Sequence, residues 1–223
     1  MKYADYIEQI EINGLWNGRK HIMWTLDRSV NILSGVNGVG KTTILNKVTG
    51  VLSEKKLPGV KLDFCPHDAT AIRYAVIQKF TIEPDEMLEG LERKYIALPD
   101  EKKGVFYDIV DSLFCATDKI ILRSEKGIRL MQEGEILTFR QLSSGEKQML
   151  LILLTVLLQD TLPYVLFMDE PEVSLHMEWQ KSLIDNILRL NPNIQIILTT
   201  HSPAIIMNGW VDKVTEVNDI EVQ

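Results

Sequence analysis

Short apolar blocks over residues 7–13 and 29–34 predict strands. The second block, SVNILS, runs directly into GVNGVGKTT, and the ILNKVTGVL that follows has helical periodicity, so the order is strand, glycine loop, helix. Residues 71–78, AIRYAVIQ, are apolar and β-branched enough for a further strand. From Pro84 to about Phe114 the pattern changes to Glu, Lys, Leu and Asp in two blocks around Pro99-Asp100, which predicts two helices in a small lobe. Short alternating segments at 119–123 and 128–132, joined by Glu125-Lys126-Gly127, predict a hairpin. A long apolar helix is expected at about 145–159, and the continuous apolar run YVLFMD at 164–169 suits a central parallel strand. A helix at about 174–190, the strand IQIILTT at 194–200 and a last strand near 213–217 complete the series. Strands and helices alternate on both sides of the small lobe, which implies a mainly parallel sheet covered by helices.

Composition narrows the class without choosing a chemistry. The 223 residues are 45% hydrophobic and 25% charged, ordinary for a globular protein. A net charge of −7 argues against gripping nucleic acid through the whole surface, since phosphate neutralisation needs positive charge, and leaves one basic patch open. Cys65 and Cys115 lie far apart, form no CxxC pair, and are expected to be buried thiols. Cys65-Pro66-His67 lacks a second pair of ligands and reads as loop, not as a metal site. The N-terminal MKYADYIEQIEING carries acids where a signal peptide needs an apolar stretch, and Met149–Leu158 is too short to span a bilayer. The expected compartment is the cytoplasm, without membrane insertion.

The chemistry concentrates in three places. Residues 35–42, GVNGVGKT, match G-x-x-x-x-G-K-[ST] in full, after a strand and before a helix. Gly35, Gly38 and Gly40 let the loop curl so that N–H groups, those of Asn37 and Val39 included, point at phosphate oxygens. The helix starting near Lys41, with Thr42 and Thr43 in its first turn, adds the positive end of its dipole. Lys41, expected at the surface of the site, supplies a cation for the β- and γ-phosphates, and the Thr42 hydroxyl is a hard oxygen ligand for Mg²⁺. After YVLFM come Asp169 and Glu170, at the carboxyl edge of the sheet where open α/β sheets bind ligands. Asp169 is the candidate Mg²⁺ ligand and Glu170 the candidate base that polarises the attacking water. Ser143, Ser144 and Gly145 open a long helix, a second anion-binding start.

LSSGEKQ at 142–148 resembles the signature motif of ATP-binding-cassette (ABC) ATPases. The order phosphate loop (35–42), signature (142–148), DE strand (164–170) and His201 is similar to theirs across nearly the whole chain. The resemblance implies an α/β P-loop NTPase head with an inserted helical lobe. The core would lie at about 1–81 and 119–223, the lobe at about 82–118, with the signature helix from 142 packing against the lobe. It further implies head-to-tail pairing around ATP. Ser143, Ser144, Gly145 and Glu146 of one head would then complete the site of a partner. His201 would be the switch histidine near the γ-phosphate, and Gln78 the glutamine that senses Mg²⁺. Ser174-Leu175-His176 sits where the family carries its D-loop, with histidine in place of the usual aspartate.

SSGEKQ, DEPEVSLH and THSP resemble the branch that includes RecF-like, SMC-like and OLD-like ATPases, many of which serve DNA repair, chromosome maintenance or phage defence. The lobe is too short for SMC coiled-coil arms, and no nuclease or Toprim domain is expected after Gln223. The expectation is therefore a stand-alone ATPase head working as a homodimer or paired head, with its effector on another chain. The alternative is the nucleotide-binding subunit of a membrane transporter. A non-hydrolysing scaffold is disfavoured by the presence of Lys41, Asp169 and Glu170 together. Trp16 and Arg19 are candidates for touching the base or phosphates, on a spacing that is not diagnostic.

Overall fold

A computed structural model describes residues 2–53, 57–78, 84–123 and 126–222. In chain order its strands are β1 (Tyr6–Gly14), β2 (Lys20–Thr25), β3 (Val30–Ser34), β4 (Val60–Cys65), β5 (Tyr74–Ile77), β6 (Ile120–Ile121), β7 (Arg129–Gln132), β8 (Glu135–Thr138), β9 (Tyr164–Asp169), β10 (Ile194–Thr199), β11 (Val214–Glu216) and β12 (Glu221–Val222). The helices are α1 (Leu15–Gly18), α2 (Lys41–Leu52), α3 (Pro84–Ile96), α4 (Gly104–Phe114), α5 (Ser144–Leu157), α6 (Met177–Leu190) and α7 (Pro203–Ile206). They fall into two compact units, one of residues 1–79, 162–172 and 193–223, the other of 80–161 and 173–192. The second unit thus holds residues 119–161 and 173–192 as well as the stretch read as a lobe at 82–118, and the junction expected at 81–82 lies outside the described residues.

The first unit is an α/β P-loop fold. Its five-stranded sheet, in the order β11-β3-β10-β9-β5, is parallel throughout. Tyr164–Met168 and every residue of β10 are buried, as a strand covered on both faces requires. A second sheet, β12-β2-β1-β4, is antiparallel and shares one core with it. Ile7, Ile10, Ile12 and Trp24 of that sheet meet Ile44, Leu45 and Val48 of α2 and Val165, Phe167 and Ile197 of the parallel strands. Each such fully buried side chain contributes about 1.5–3 kcal/mol relative to exposure. Neither β2 nor β4 is evident in the sequence, because β2 has polar residues at both ends and β4 is only half-buried.

The second unit holds α3, α4, α5, α6 and the antiparallel meander β6-β7-β8. The predicted hairpin exists as β6–β7, with Glu125 of its turn outside the described residues. A third strand, β8, returns through Glu133-Gly134, both with positive φ. Trp179 of α6 stacks on Phe114, with ring centroids 5.3 Å apart, and its indole N–H donates to the Leu113 carbonyl at 2.9 Å. α6 begins at Met177, later than the predicted 174, because Pro171–Ser174 forms a 3₁₀ turn first. Among the described residues no helix is long and apolar enough to cross a membrane. Cys115 is exposed and Cys65 half-buried, so the expectation of two buried thiols is corrected, and no His/Cys/Asp/Glu cluster around Cys65 or elsewhere among the described residues has metal-site geometry.

Candidate functional site

The register of the parallel sheet brings the carboxyl ends of β3, β10 and β9 level. Leu33 pairs with Thr199, and Thr199 with Asp169. β3 then turns through Gly35, Gly38 and Gly40, at φ of 142°, 82° and 107°, into α2. At Gly40 the requirement for glycine is double: φ is left-handed, and a Cβ would collide with the Trp16 indole lying over it. Lys41 is 5% exposed, not at the surface as expected, and its ammonium donates to the carbonyls of Gly35 at 2.8 Å and Val36 at 3.3 Å. Asn37 and Gly38 are exposed, Val39 and Thr43 half-buried.

The Thr42 hydroxyl faces the Asp169 carboxylate at 3.0 and 3.1 Å. Thr199 joins them, its hydroxyl donating to Asp169 at 2.6 Å. Two hard oxygen donors converging from different elements fit Mg²⁺, which takes one or two protein oxygens and keeps its other positions for water and phosphate. Gln78 follows Ile77, the partner of Met168, so the register sets it level with Asp169 at the same sheet edge, with an exposed side chain. The hydrogen bonds of Thr42 and Asp169 go to each other and to Thr199.

Glu170 leaves strand geometry. Its φ is 45°, a left-handed conformation that costs a non-glycine residue about 1–3 kcal/mol and persists only where surroundings enforce it. Here its N–H donates to both the carbonyl and the hydroxyl of Thr199, at 3.1 Å each. The turn brings the carboxylate to 3.6 Å from Nε2 of His201, whose ring is exposed. Glu172 accepts from the Thr200 hydroxyl at 2.7 Å and from the His201 N–H at 2.9 Å. Thr199, Thr200 and Glu172 were not singled out in the sequence. The pair of threonines ahead of His201 and the second acid after Asp169 are visible there, and only the fold shows that they meet.

In the second unit Ser143 caps α5. Its hydroxyl accepts from the Glu146 N–H at 3.3 Å, while the Glu146 carboxylate accepts from Ser143 N–H at 2.9 Å. Glu146 is 3% exposed and turned inward to Lys119, 2.9 Å away. Burial alone would raise its carboxyl, but Lys119 and the Ser143 hydrogen bonds outweigh that and hold it below the usual carboxylate range. Ser143 and Ser144 are the exposed residues at this helix start, and Glu146 holds the Ser143 hydroxyl from behind, 3.0 Å away. A side chain on Gly145 would strike the carbonyl oxygen of Ser174, the close approach that keeps this position glycine.

The family whose profile matches residues 73–208 is described as "AAA domain, putative AbiEii toxin, Type IV TA system". That span includes Gln78, the signature, Asp169, Glu170 and His201, and begins after the phosphate loop. Among curated proteins the chain is 26% identical over 103 residues to "Retron Vc95 probable ATPase" of Vibrio cholerae serotype O1 biovar El Tor, covering 41% of this chain and 20% of that protein. It is 31% identical over 170 residues to "Uncharacterized ABC transporter ATP-binding protein YvrA" of Bacillus subtilis (strain 168), covering 70% of this chain and 34% of that protein. The matched stretches amount to a fifth and about a third of these relatives' lengths. Among solved structures, the SMC head domain from Thermotoga maritima has a TM-score of 0.60 at 14% identity, covering 100% of this chain and 98% of that one, a likeness of fold.

Proposed function

The chain belongs to this AAA-domain family, and from that premise we propose that it is an ABC-type ATPase of the RecF-, SMC- and OLD-like kind that binds ATP with Mg²⁺, hydrolyses it, and uses the cycle to gate an effector on another polypeptide. The observation that carries the reading is the convergence of Thr42, Asp169, Glu170 and His201 at one sheet edge beside the glycine loop. On this reading the N–H groups of residues 35–43 and the Lys41 ammonium hold the phosphates, the ammonium exchanging its carbonyl partners for phosphate oxygens. Thr42 and Asp169, with Gln78 beside them, hold Mg²⁺, which when bound neutralises charge on the β- and γ-phosphates. Glu170 accepts a proton from the water whose oxygen attacks the γ-phosphorus. The bond from that phosphorus to the β–γ bridging oxygen breaks, leaving ADP and phosphate. His201 donates to the γ-phosphate, and the Ser143–Gly145 cap of a second head closes over it.

That the Vibrio relative is named as a retron ATPase, and not as a transporter component, is in line with the first reading, a role in defence or DNA maintenance. The name of the Bacillus relative supports a second reading, the nucleotide-binding subunit of a transporter. Co-purification from native cells separates them: a nuclease or nucleic-acid partner favours the first, an integral membrane protein the second. The chemistry itself is tested by Glu170→Gln, which keeps shape and hydrogen bonding. ATP binding is expected to stay and turnover to fall about 10²-fold or more. Hydrolysis near the wild-type rate in that variant places the base elsewhere.

A further inference from the structure

β10 stops pairing at Thr199, so the N–H of His201 has no strand partner. Glu172 supplies one. A single carboxylate oxygen accepts from the His201 N–H at 2.9 Å and from the Thr200 hydroxyl at 2.7 Å. The Thr200 oxygen accepts in turn from the Ser202 N–H at 2.9 Å, and the Ser202 hydroxyl caps α7 through Ala204 and Ile205. Thr200 and Ser202 are 1% and 7% exposed, so the residues on either side of His201 are buried and hydrogen-bonded while the imidazole alone projects outward. That imidazole stands 3.6 Å from Glu170. Two hydrogen bonds to one side-chain oxygen, one from the backbone and one from a hydroxyl, define one backbone path where the ladder has ended.

We propose that Glu172 is a positioning residue for hydrolysis: it touches neither nucleotide nor water, and acts by fixing residues 200–202 so that the His201 ring and the Glu170 carboxylate share one site. The inference rests on the reading that Glu170 and His201 serve ATP hydrolysis. Misplacement of a reacting group by about 1 Å costs on the order of 10²-fold in rate. Glu172 is therefore expected to govern kcat and leave the affinity for ATP, held by the phosphate loop, unchanged.

The test measures kcat, KM and ATP affinity for Glu172→Ala, Glu172→Gln, His201→Ala and the double variant Glu172→Ala/His201→Ala, with Glu170→Gln as control. Glu172→Ala is expected to lose about 10- to 100-fold in kcat with KM and ATP affinity within about threefold of wild type. Glu172→Gln keeps an acceptor oxygen at the same place and is expected to restore most of the rate. The double variant should be no slower than His201→Ala, because a residue that works only through His201 has nothing left to position. Wild-type kcat in Glu172→Ala, failure of Gln to rescue, or losses that multiply in the double variant each overturn the inference. If Glu172→Ala does not fold, Thr200→Val decides: it breaks the 2.7 Å bond, and kcat should fall at constant KM, recover in Thr200→Ser, and otherwise contradict the proposal. Hydrolysis that needs Glu170 and not Glu172 sinks this inference alone, whereas hydrolysis indifferent to Glu170 sinks the reading of the site.

Discussion

Lys41 shows how a residue of known motif can take a structural role of its own. Its ammonium clasps the Gly35 and Val36 carbonyls, which point back into the curled loop. On the proposed reading Lys41→Ala therefore removes a phosphate contact and the clasp together. The variant is expected to lose most of its ATP affinity by calorimetry. It should also melt lower than wild type without nucleotide, by the equivalent of about 1.5–3 kcal/mol for hydrogen bonds to a charged group. Lost affinity with an unchanged ligand-free melting temperature would mean that the clasp contributes nothing. Glu170 is a second case. As one of a pair of acids after an apolar strand it is easily read, but its left-handed backbone, pinned by Thr199, is what turns its carboxylate toward His201.

Among the elements, β10 carries a polar side chain that strand patterning gives no reason to expect. Gln195 is fully buried, and its carboxamide pairs with Ile7 of β1 as a neighbouring peptide would, accepting from N–H at 2.9 Å and donating to C=O at 2.8 Å. It also donates to the Asp27 carbonyl at 2.8 Å, so one side chain ties the parallel sheet to the antiparallel one. Gln195→Leu keeps volume and leaves these backbone groups without partners. A loss of about 2–5 kcal/mol in denaturant unfolding is expected, and a loss below about 1 kcal/mol would show that water replaces the amide. At the same end of the sheet, burial raises the Asp27 carboxyl, and Lys213 and Ser29 outweigh it, lowering it from the ordinary 3.8 to about 2. A lowered carboxyl stabilises the fold above its unfolded value. That contribution is present above pH 3.8 and lost as pH falls through about 2. Acid unfolding of Asp27→Asn should be flatter than wild type over that window, and an identical profile would remove Asp27 as a source of acid lability.

At the scale of the whole molecule, each unit carries one helix start suited to an anion, α2 after Gly40 and α5 after Ser143. On the proposed reading one nucleotide needs only the first for its own head, which leaves the second for a partner's γ-phosphate. ADP lacks that phosphate, so on the proposed reading the paired state follows ATP and decays with hydrolysis. In a Glu170→Gln background, light scattering is expected to give a dimer with ATP and mostly monomer with ADP. Ser143→Arg, which puts a bulky cation at an exposed cap, should abolish the dimer and spare ATP binding by the monomer. An oligomeric state indifferent to nucleotide would contradict the switch.

Much of this protein is legible in the linear chain, because its motifs are local. A glycine loop between strand and helix, two acids after a buried strand and a serine-capped helix each specify their own backbone within a few residues. Their order placed the chain in its family and implied an α/β P-loop head. The antiparallel sheet was not legible, since β2 and β4 earn their burial only from a core shared with α2 and the parallel strands. Nor were Thr199, Thr200 and Glu172, whose roles depend on the register of β9 against β10. Hydrogen bonds between residues 30 positions apart in sequence exist only once that register is set, and it is set by burial of both strands, which no single motif encodes.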